Sequence, residues 1–128
     1  MTMNEARYLN VDCVLRSNET LSALVSILEN DVFMLWNESS NDGGFVCFET
    51  NLVDTSGPEE DICEFLRIFE SHSLEQSLAK CQERIFDIGF ESGDFGGPVD
   101  VVISHDTVKR ICDLGFYVKI RVYPISQS

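Results

Sequence analysis

The stretch Val99-Asp-Val-Val-Ile-Ser-His-Asp-Thr-Val-Lys-Arg-Ile-Cys-Asp-Leu-Gly-Phe-Tyr-Val-Lys-Ile-Arg-Val-Tyr123 contains the clearest structural signals of the chain. Its apolar residues over 99–103 predict a strand, and Ser104 can cap the helix that follows. Gly115 suits the left-handed position at which such a helix ends. Residues 116–123 then predict another strand, so we expect a strand–helix–strand unit here.

A similar order occurs near the N-terminus, in Val11-Asp-Cys-Val-Leu-Arg-Ser-Asn-Glu-Thr-Leu21. Alternation over 8–15 predicts a strand, and Ser17 or Asn18 can cap a helix over about 19–29. A further strand is predicted at 31–36. Both segments place an aspartate after the first valine and a threonine just inside the helix. We therefore expect two similar βαβ-like halves.

The middle of the chain supplies the remaining elements. Asn41-Asp-Gly-Gly44 predicts a turn, and the strand after it should form a hairpin with the strand before it. Pro58 suits the first turn of a helix. The predicted elements are a strand at 45–49, helices at about 58–71 and 74–81, and a strand at 84–90.

Together these elements predict one α+β domain spanning residues 1–128. Its mixed or largely antiparallel sheet should have about six strands, with helices packed on it. Several of these strands carry apolar side chains on both faces. A helix must therefore cover the second face of the sheet, or that face meets a partner.

The charge of the chain is distributed very unevenly. The formal net charge is −13, from 22 acidic and 9 basic residues. Between Arg16 and Arg67 there are eleven carboxylates and no lysine or arginine, so segment 17–66 alone contributes −11. Such charge destabilises a compact chain by self-repulsion, but it also attracts basic partners. Keeping the protein soluble is the simpler explanation, and both remain open.

Composition argues against several classes of partner. The phosphates of nucleic acids would be repelled by this charge, and no stretch reaches the roughly 18 apolar residues that cross a membrane. The polar N-terminus does not resemble a signal peptide, so we expect a cytoplasmic protein. The five cysteines lack a Cys-x-x-Cys pair, which favours buried free thiols.

Few residues suggest catalysis. His72 and His105 are the only histidines, and their spacing does not predict a zinc site. The loop with Gly93, Gly96 and Gly97 matches no phosphate-binding pattern. We therefore expect no enzyme activity, no cofactor and no metal. A small hydrolase or cation-dependent enzyme would be favoured only by a pocket that joins a histidine to two carboxylates.

The acidic residues occur mainly where the chain should be exposed, in the predicted hairpin loop, the next loop and the start of the second helix. An acidic surface speeds the encounter with a basic protein. Trp36 could anchor an interface, since tryptophan often dominates interface energy, although burial in the core is the simpler expectation. The candidate partner-binding residues are Trp36, Glu38, Asp42, Asp54, Glu59, Glu60, Asp61 and Glu64.

Two resemblances bear on function. The order of strand, serine-capped helix, Leu114-Gly115, strand and Tyr123 is similar to the ending of an uncharacterised bacterial domain family. A compact acidic α+β protein without catalytic residues also resembles the bacterial immunity proteins that guard against contact-dependent inhibition and other polymorphic toxins. This second resemblance implies that the protein neutralises a cognate basic toxin, in many such systems a nuclease. Its acidic surface would cover the active-site cleft and stand in for phosphates.

The alternative is an intracellular interaction module or homodimer that uses the apolar sheet face and has no catalytic activity. In that case the charge serves only solubility. A monomer is the expectation for an immunity protein, and a dimer would favour the alternative.

Overall fold

The computed structural model describes residues 5–40, 43–94 and 97–124. Within these ranges the chain forms five strands and four helices. The strands are β1 (Arg7–Ser17), β2 (Val32–Asn37), β3 (Gly44–Thr50), β4 (Glu83–Glu91) and β5 (Tyr117–Tyr123), and the helices are α1 (Ser22–Leu28), α2 (Pro58–Ser71), α3 (Glu75–Ala79) and α4 (His105–Asp113).

The strands form one mixed sheet in the order β2-β3-β1-β4-β5. All neighbours are antiparallel except β4 and β5, which are parallel and joined through α4. The long strand β1 lies in the middle, and β2 and β5 are the edges. The predicted α+β class and mixed sheet are therefore confirmed.

The core lies between one face of this sheet and the helices. Val11, Cys13 and Leu15 of β1 are buried in the same cluster as the apolar residues of all four helices. Aromatic rings fill its centre, where the centroids of Phe86 and Phe116 lie 4.3 Å apart. Residues that alternate with the buried ones, such as Asn10 and Asp12, lie on the opposite face, which we call the open face.

One predicted strand is wrong. Residues 99–103 form no strand, so the described part of the chain has five strands and not six. Val99, Val101 and Ile103 pack against the core as an irregular segment, which accounts for their alternation without a partner strand. The two halves are consequently only approximate: β4 and β5 are adjacent, whereas β3 separates β1 from β2.

The predicted helix boundaries agree unevenly. The range of α2 matches the prediction, Ser104 caps α4 by accepting a hydrogen bond from the Thr107 amide (3.4 Å), and Gly115 has φ +72°. By contrast, α1 starts only at Ser22 and has no side-chain cap, because Ser17 still belongs to β1.

None of the helices in the described ranges is long and apolar enough to cross a membrane.

All five cysteines are free thiols; Cys13 and Cys81 are buried, whereas Cys112 is exposed on α4.

Candidate protein-binding site

A cavity of about 350 Å³ opens at the end of the sheet where β1 begins and β3 ends. Three of its lining residues are carboxylates, and none is a lysine or arginine. We call it the acidic cavity. Its lining consists of Tyr8, Leu9, Asn10, Val11, Glu49, Thr50, Leu52, Asp54, Thr55 and Asp61.

Asp61 forms the floor of the acidic cavity. Because α2 begins at Pro58, Asp61 lies in its first turn and faces the end of the sheet. Its carboxylate accepts hydrogen bonds from the hydroxyls of Tyr8, Thr50 (2.6 Å) and Thr55 (2.9 Å). Burial and the neighbouring Asp61 raise the pKa of Tyr8, so this phenol stays protonated and donates.

The expected exposure of Asp61 is therefore wrong. Asp61 is only 6% exposed, and its carboxylate oxygens accept hydrogen bonds from three hydroxyls of the same chain. Burying a carboxylate is costly unless hydrogen bonds compensate it. Asp61 consequently stabilises the junction of α2 with β1 and β3, and it contributes its charge to the cavity without offering a surface contact.

Two other carboxylates are accessible from solvent. Asp54 is exposed and has a φ of +55°, in the loop that connects β3 to α2. Glu49, the penultimate residue of β3, is partly exposed and lies within 3.4 Å of the Asn10 amide nitrogen. A ligand entering the cavity can therefore meet two carboxylates at its wall, with a third behind them.

The start of α2 adds further negative charge beside the cavity. Glu60 accepts hydrogen bonds from the backbone and the hydroxyl of Ser56, both at 2.9 Å, and Glu59 accepts one from the Ser104 amide. These backbone donors lower the pKa of both carboxyl groups. Both groups therefore remain ionised in any neutral solution.

The acidity continues onto the open face. Asp12 of β1 stands opposite Asp87 of β4 in the sheet, and Asn10 donates a hydrogen bond to Asp12 (3.0 Å). Burial, followed by the charges of Glu49 and Asp87, raises the pKa of Asp12 to about 6. Arg121 on β5 lies 3.5 Å from Asp87 and offsets part of this repulsion.

The structure divides the sequence-predicted residues into two groups. Asp54, Asp61, Glu59 and Glu60 lie at the cavity end, whereas Glu38 follows β2 at the opposite end of the sheet, since β2 and β3 are antiparallel. The predicted residues therefore do not form one continuous surface.

Three further predicted residues complete this comparison. Glu64 is a full turn further along α2, where it pairs with Arg67 at 2.6 Å. Trp36 is 54% exposed near the end of β2, so the core position that seemed simpler is wrong. Asp42 lies outside the described residues.

Sequence reasoning missed Tyr8, Asn10 and Glu49. The alternation over 8–15 placed the first two on the face opposite Val11, which is correct for Asn10 but wrong for Tyr8. A bulge between Tyr8 and Asn10 turns Tyr8 towards the core and leaves Leu9 39% exposed. What the alternation lacked was the register that pairs β1 with β3 and so joins them to Glu49. A carboxylate in a strand of an acidic chain is not distinctive by itself.

The histidines stand apart from the acidic cavity. His72 lies 2.7 Å from Asp31, and His105 is exposed at the start of α4. Neither belongs to the cavity lining. Within residues 5–40, 43–94 and 97–124, no group of three or more histidine, cysteine, aspartate or glutamate side chains is placed to hold a metal ion.

No protein-family model, curated protein or solved structure matches the chain significantly.

Proposed function

We propose that this protein binds a basic protein through the acidic cavity and does so without chemistry of its own. The observation that supports the proposal is the cavity lining, with Glu49, Asp54 and Asp61 and no cation. The resemblance to immunity proteins implies that the partner is a basic toxin. This protein would then neutralise the toxin by occupying its active-site cleft.

The expected ligand group is an arginine or lysine side chain of the partner. A guanidinium can bind two carboxylate oxygens at once, so Asp54 and Glu49 offer it charge-assisted hydrogen bonds. Asp61 is already saturated by hydroxyls, and its role is to make the potential at the floor more negative. The volume of about 350 Å³ leaves room for such a side chain.

Blocking a nuclease in this way requires only position and charge. The basic residues of a nuclease cleft grip phosphates, and carboxylates held at the cavity and at Glu59 and Glu60 can occupy them. Association should then be fast at low salt and should slow steeply as salt is added.

The first experiment uses an oligo-arginine peptide as the probe. We expect its titration into the ¹⁵N-labelled protein to shift the amide resonances of Glu49 and Asp54 before others. Replacing Asp54 by Asn should weaken this binding about fivefold to tenfold, because one charge-assisted contact is lost. The matched control is Glu75→Gln on α3, an exposed carboxylate outside the cavity, whose loss changes the net charge equally.

Equal weakening by Asp54→Asn and Glu75→Gln would contradict the proposal, because the peptide would then sense only net charge. The second experiment mixes the protein with the product of the neighbouring gene and measures the association rate against salt. Reversing Asp54 and Glu60 to lysine should slow this rate. Asp61 is left unchanged, since a lysine at this buried site would unfold the end of the sheet.

The alternative remains a dimer formed through the open face. Phe33 and Tyr117, on opposite edges of the sheet, are 55% and 69% exposed. Their exposed rings favour contact with an apolar surface of a second molecule. Light scattering distinguishes the two: a stable dimer at micromolar concentration, with no response of the cavity to the basic peptide, would favour the alternative.

A further inference from the structure

The edge strand β2 is apolar, exposed and without charge. Its sequence, Val32-Phe-Met-Leu-Trp-Asn37, contains no lysine, arginine, aspartate or glutamate. The side chains of Phe33, Leu35 and Trp36 are 55%, 42% and 54% exposed. Within residues 5–40, 43–94 and 97–124, only β3 pairs with β2, and no strand of these ranges pairs with the outer row of backbone amides and carbonyls.

Natural proteins usually protect such edges with charged residues, proline or a covering segment. The other edge strand, β5, is also exposed and apolar, but it carries Lys119 and Arg121, whose charges oppose the pairing of another chain. On β2 the only such feature is a bulge between Met34 and Trp36. Of the two edges, β2 is therefore the one that carries no charge within the strand.

We propose that β2 receives an extended segment of a partner protein as an added strand. The segment is apolar at alternating positions and carries lysine or arginine at its ends. Main-chain hydrogen bonds to the outer side of β2 would supply much of the affinity, and Phe33 and Trp36 would contact alternating side chains. Six residues offer an edge about 20 Å long.

Charge identifies the occupant. Carboxylates flank β2 on both sides, with Glu29 and Asp31 before it and Glu38 after it. Asp31 already contacts His72 at 2.7 Å, so Glu29 and Glu38 are the carboxylates offered to the partner's basic ends. The nearby cations are already engaged: Arg67 pairs with Glu64 at 2.6 Å, and Arg16 pairs with Glu83 at 2.9 Å. An added strand with basic ends would therefore find opposite charge at both of its termini.

The same charges disfavour a second copy of the chain. Antiparallel pairing of two β2 strands would bring Asp31 of one copy towards Glu38 of the other, and like charges at strand ends repel. Two molecules of formal charge −13 also repel at long range. A basic partner meets neither obstacle.

This inference shares with the proposed function only the basic nature of the partner. The acidic cavity and β2 adjoin at one end of the strand, because Phe33 pairs with Glu49 of the cavity wall. Trp36 pairs with Cys47, which is not a lining residue, so a change at Trp36 tests β2 while the cavity remains intact.

The probe is a short peptide of alternating valine and threonine with two lysines at each end. We expect it to slow hydrogen exchange at amides of Val32–Asn37, and to leave the exchange of β5 amides unchanged. A peptide of identical sequence with alternate backbone nitrogens methylated should bind at least about tenfold more weakly, because it cannot complete the main-chain pairing.

The blocking variant is Trp36→Lys, which places a charge on the receiving edge at a position that does not pair with a cavity residue. Because Trp36 is more than half exposed, this variant should fold, and an unchanged far-ultraviolet circular dichroism spectrum would verify it. We expect it to weaken peptide binding about tenfold. Its control is Tyr117→Lys on β5, which is more exposed and changes the net charge by the same amount, and should alter binding less than about twofold.

Three results would overturn the inference. They are protection of β5 in place of β2, equal weakening by Trp36→Lys and Tyr117→Lys, and equal binding of the methylated peptide. Concentration-dependent self-association that Trp36→Lys abolishes would assign the edge to a second copy instead. Asp54→Asn should leave binding of this peptide intact, so failure of the cavity proposal is distinguishable from failure of this one.

Discussion

Asp12 shows how one residue can oppose the fold that contains it. It lies half-buried among carboxylates, and its pKa in the folded protein is about 6, above the ordinary 3.8 of an aspartate. The folded state therefore holds the proton more tightly than the unfolded state does. It follows that the contribution of Asp12 to stability is greatest below about pH 4, falls as the pH rises to about 6, and then levels off.

We expect Asp12→Asn to remove this dependence. The variant should be more stable than the original by about 1 kcal/mol at pH 7, a modest value because solvent screens a half-exposed group. This corresponds to a rise in Tm of about 3–5 °C. The amide oxygen of the new side chain can still accept the hydrogen bond from Asn10.

Thermal unfolding of both proteins from pH 4 to pH 7.5 provides the measurement. The two curves should converge near pH 4 and separate above it. Asp100→Asn serves as the control, since Asp100 is exposed in the segment before α4 and its replacement changes the net charge by the same amount. Curves that stay parallel at all pH values would show that Asp12 titrates normally.

Single residues were predictable where local geometry determines their role. Ser104 and Gly115 follow from the backbone requirements of helix ends, which a short stretch of sequence contains. Asp61 and Trp36 were misjudged because their burial depends on contacts distant in sequence. The hydroxyls of Thr50 and Tyr8, which donate hydrogen bonds to the Asp61 carboxylate, belong to residues 11 and 53 positions away in the sequence.

At the scale of elements, α4 connects the parallel strands β4 and β5 and depends on its cap. Ser104 accepts a hydrogen bond from the Thr107 amide, while its own amide donates to Glu59 of α2. We expect Ser104→Ala to lower the free energy of unfolding by about 1 kcal/mol, the usual cost of losing a cap.

Urea unfolding would measure this loss, and Ser104→Asn should restore most of it because asparagine caps well. Both variants keep the backbone amide that donates to Glu59. If alanine and asparagine destabilise the protein equally, the hydroxyl matters through another contact, such as its own hydrogen bond to the Thr107 side chain (3.1 Å).

Elements with a strong period and clear ends were predicted well, as α2 demonstrates. Residues 99–103 were not, because alternation indicates one buried side of an extended segment and does not reveal whether a neighbouring strand exists. The start of α1 was misplaced for a related reason: β1 continues to Ser17 through its pairing with β3, and pairing is invisible in a single segment.

At the scale of the whole molecule, the order β2-β3-β1-β4-β5 could not be derived from the chain. The class could, since alternating and helical periods together imply helices on a mixed sheet. The acidic cavity depends on the order, because it needs β1 beside β3 and α2 across their ends. The position of the cavity could therefore not be predicted from the sequence, whereas the acidity of this part of the chain could.

The net charge of −13 leads to a prediction for the complete molecule. Raising NaCl from about 0.05 M to 0.5 M shortens the Debye length from roughly 14 Å to 4 Å and screens self-repulsion. We expect Tm to rise by several degrees, while association with a basic partner slows. Equal effects of NaCl and KCl would indicate screening; a Tm that falls with either salt would contradict the prediction.

The exposed thiol on α4 offers a practical consequence. Burial raises the pKa of Cys13 and Cys81 and that of Cys47, the last to about 11, so these sulfurs react slowly as nucleophiles. Cys112 is the most accessible of the five. A maleimide fluorophore should therefore attach there first, on the helix that leads into β5 and away from β2, and would report capture of a ligand by the unmutated protein.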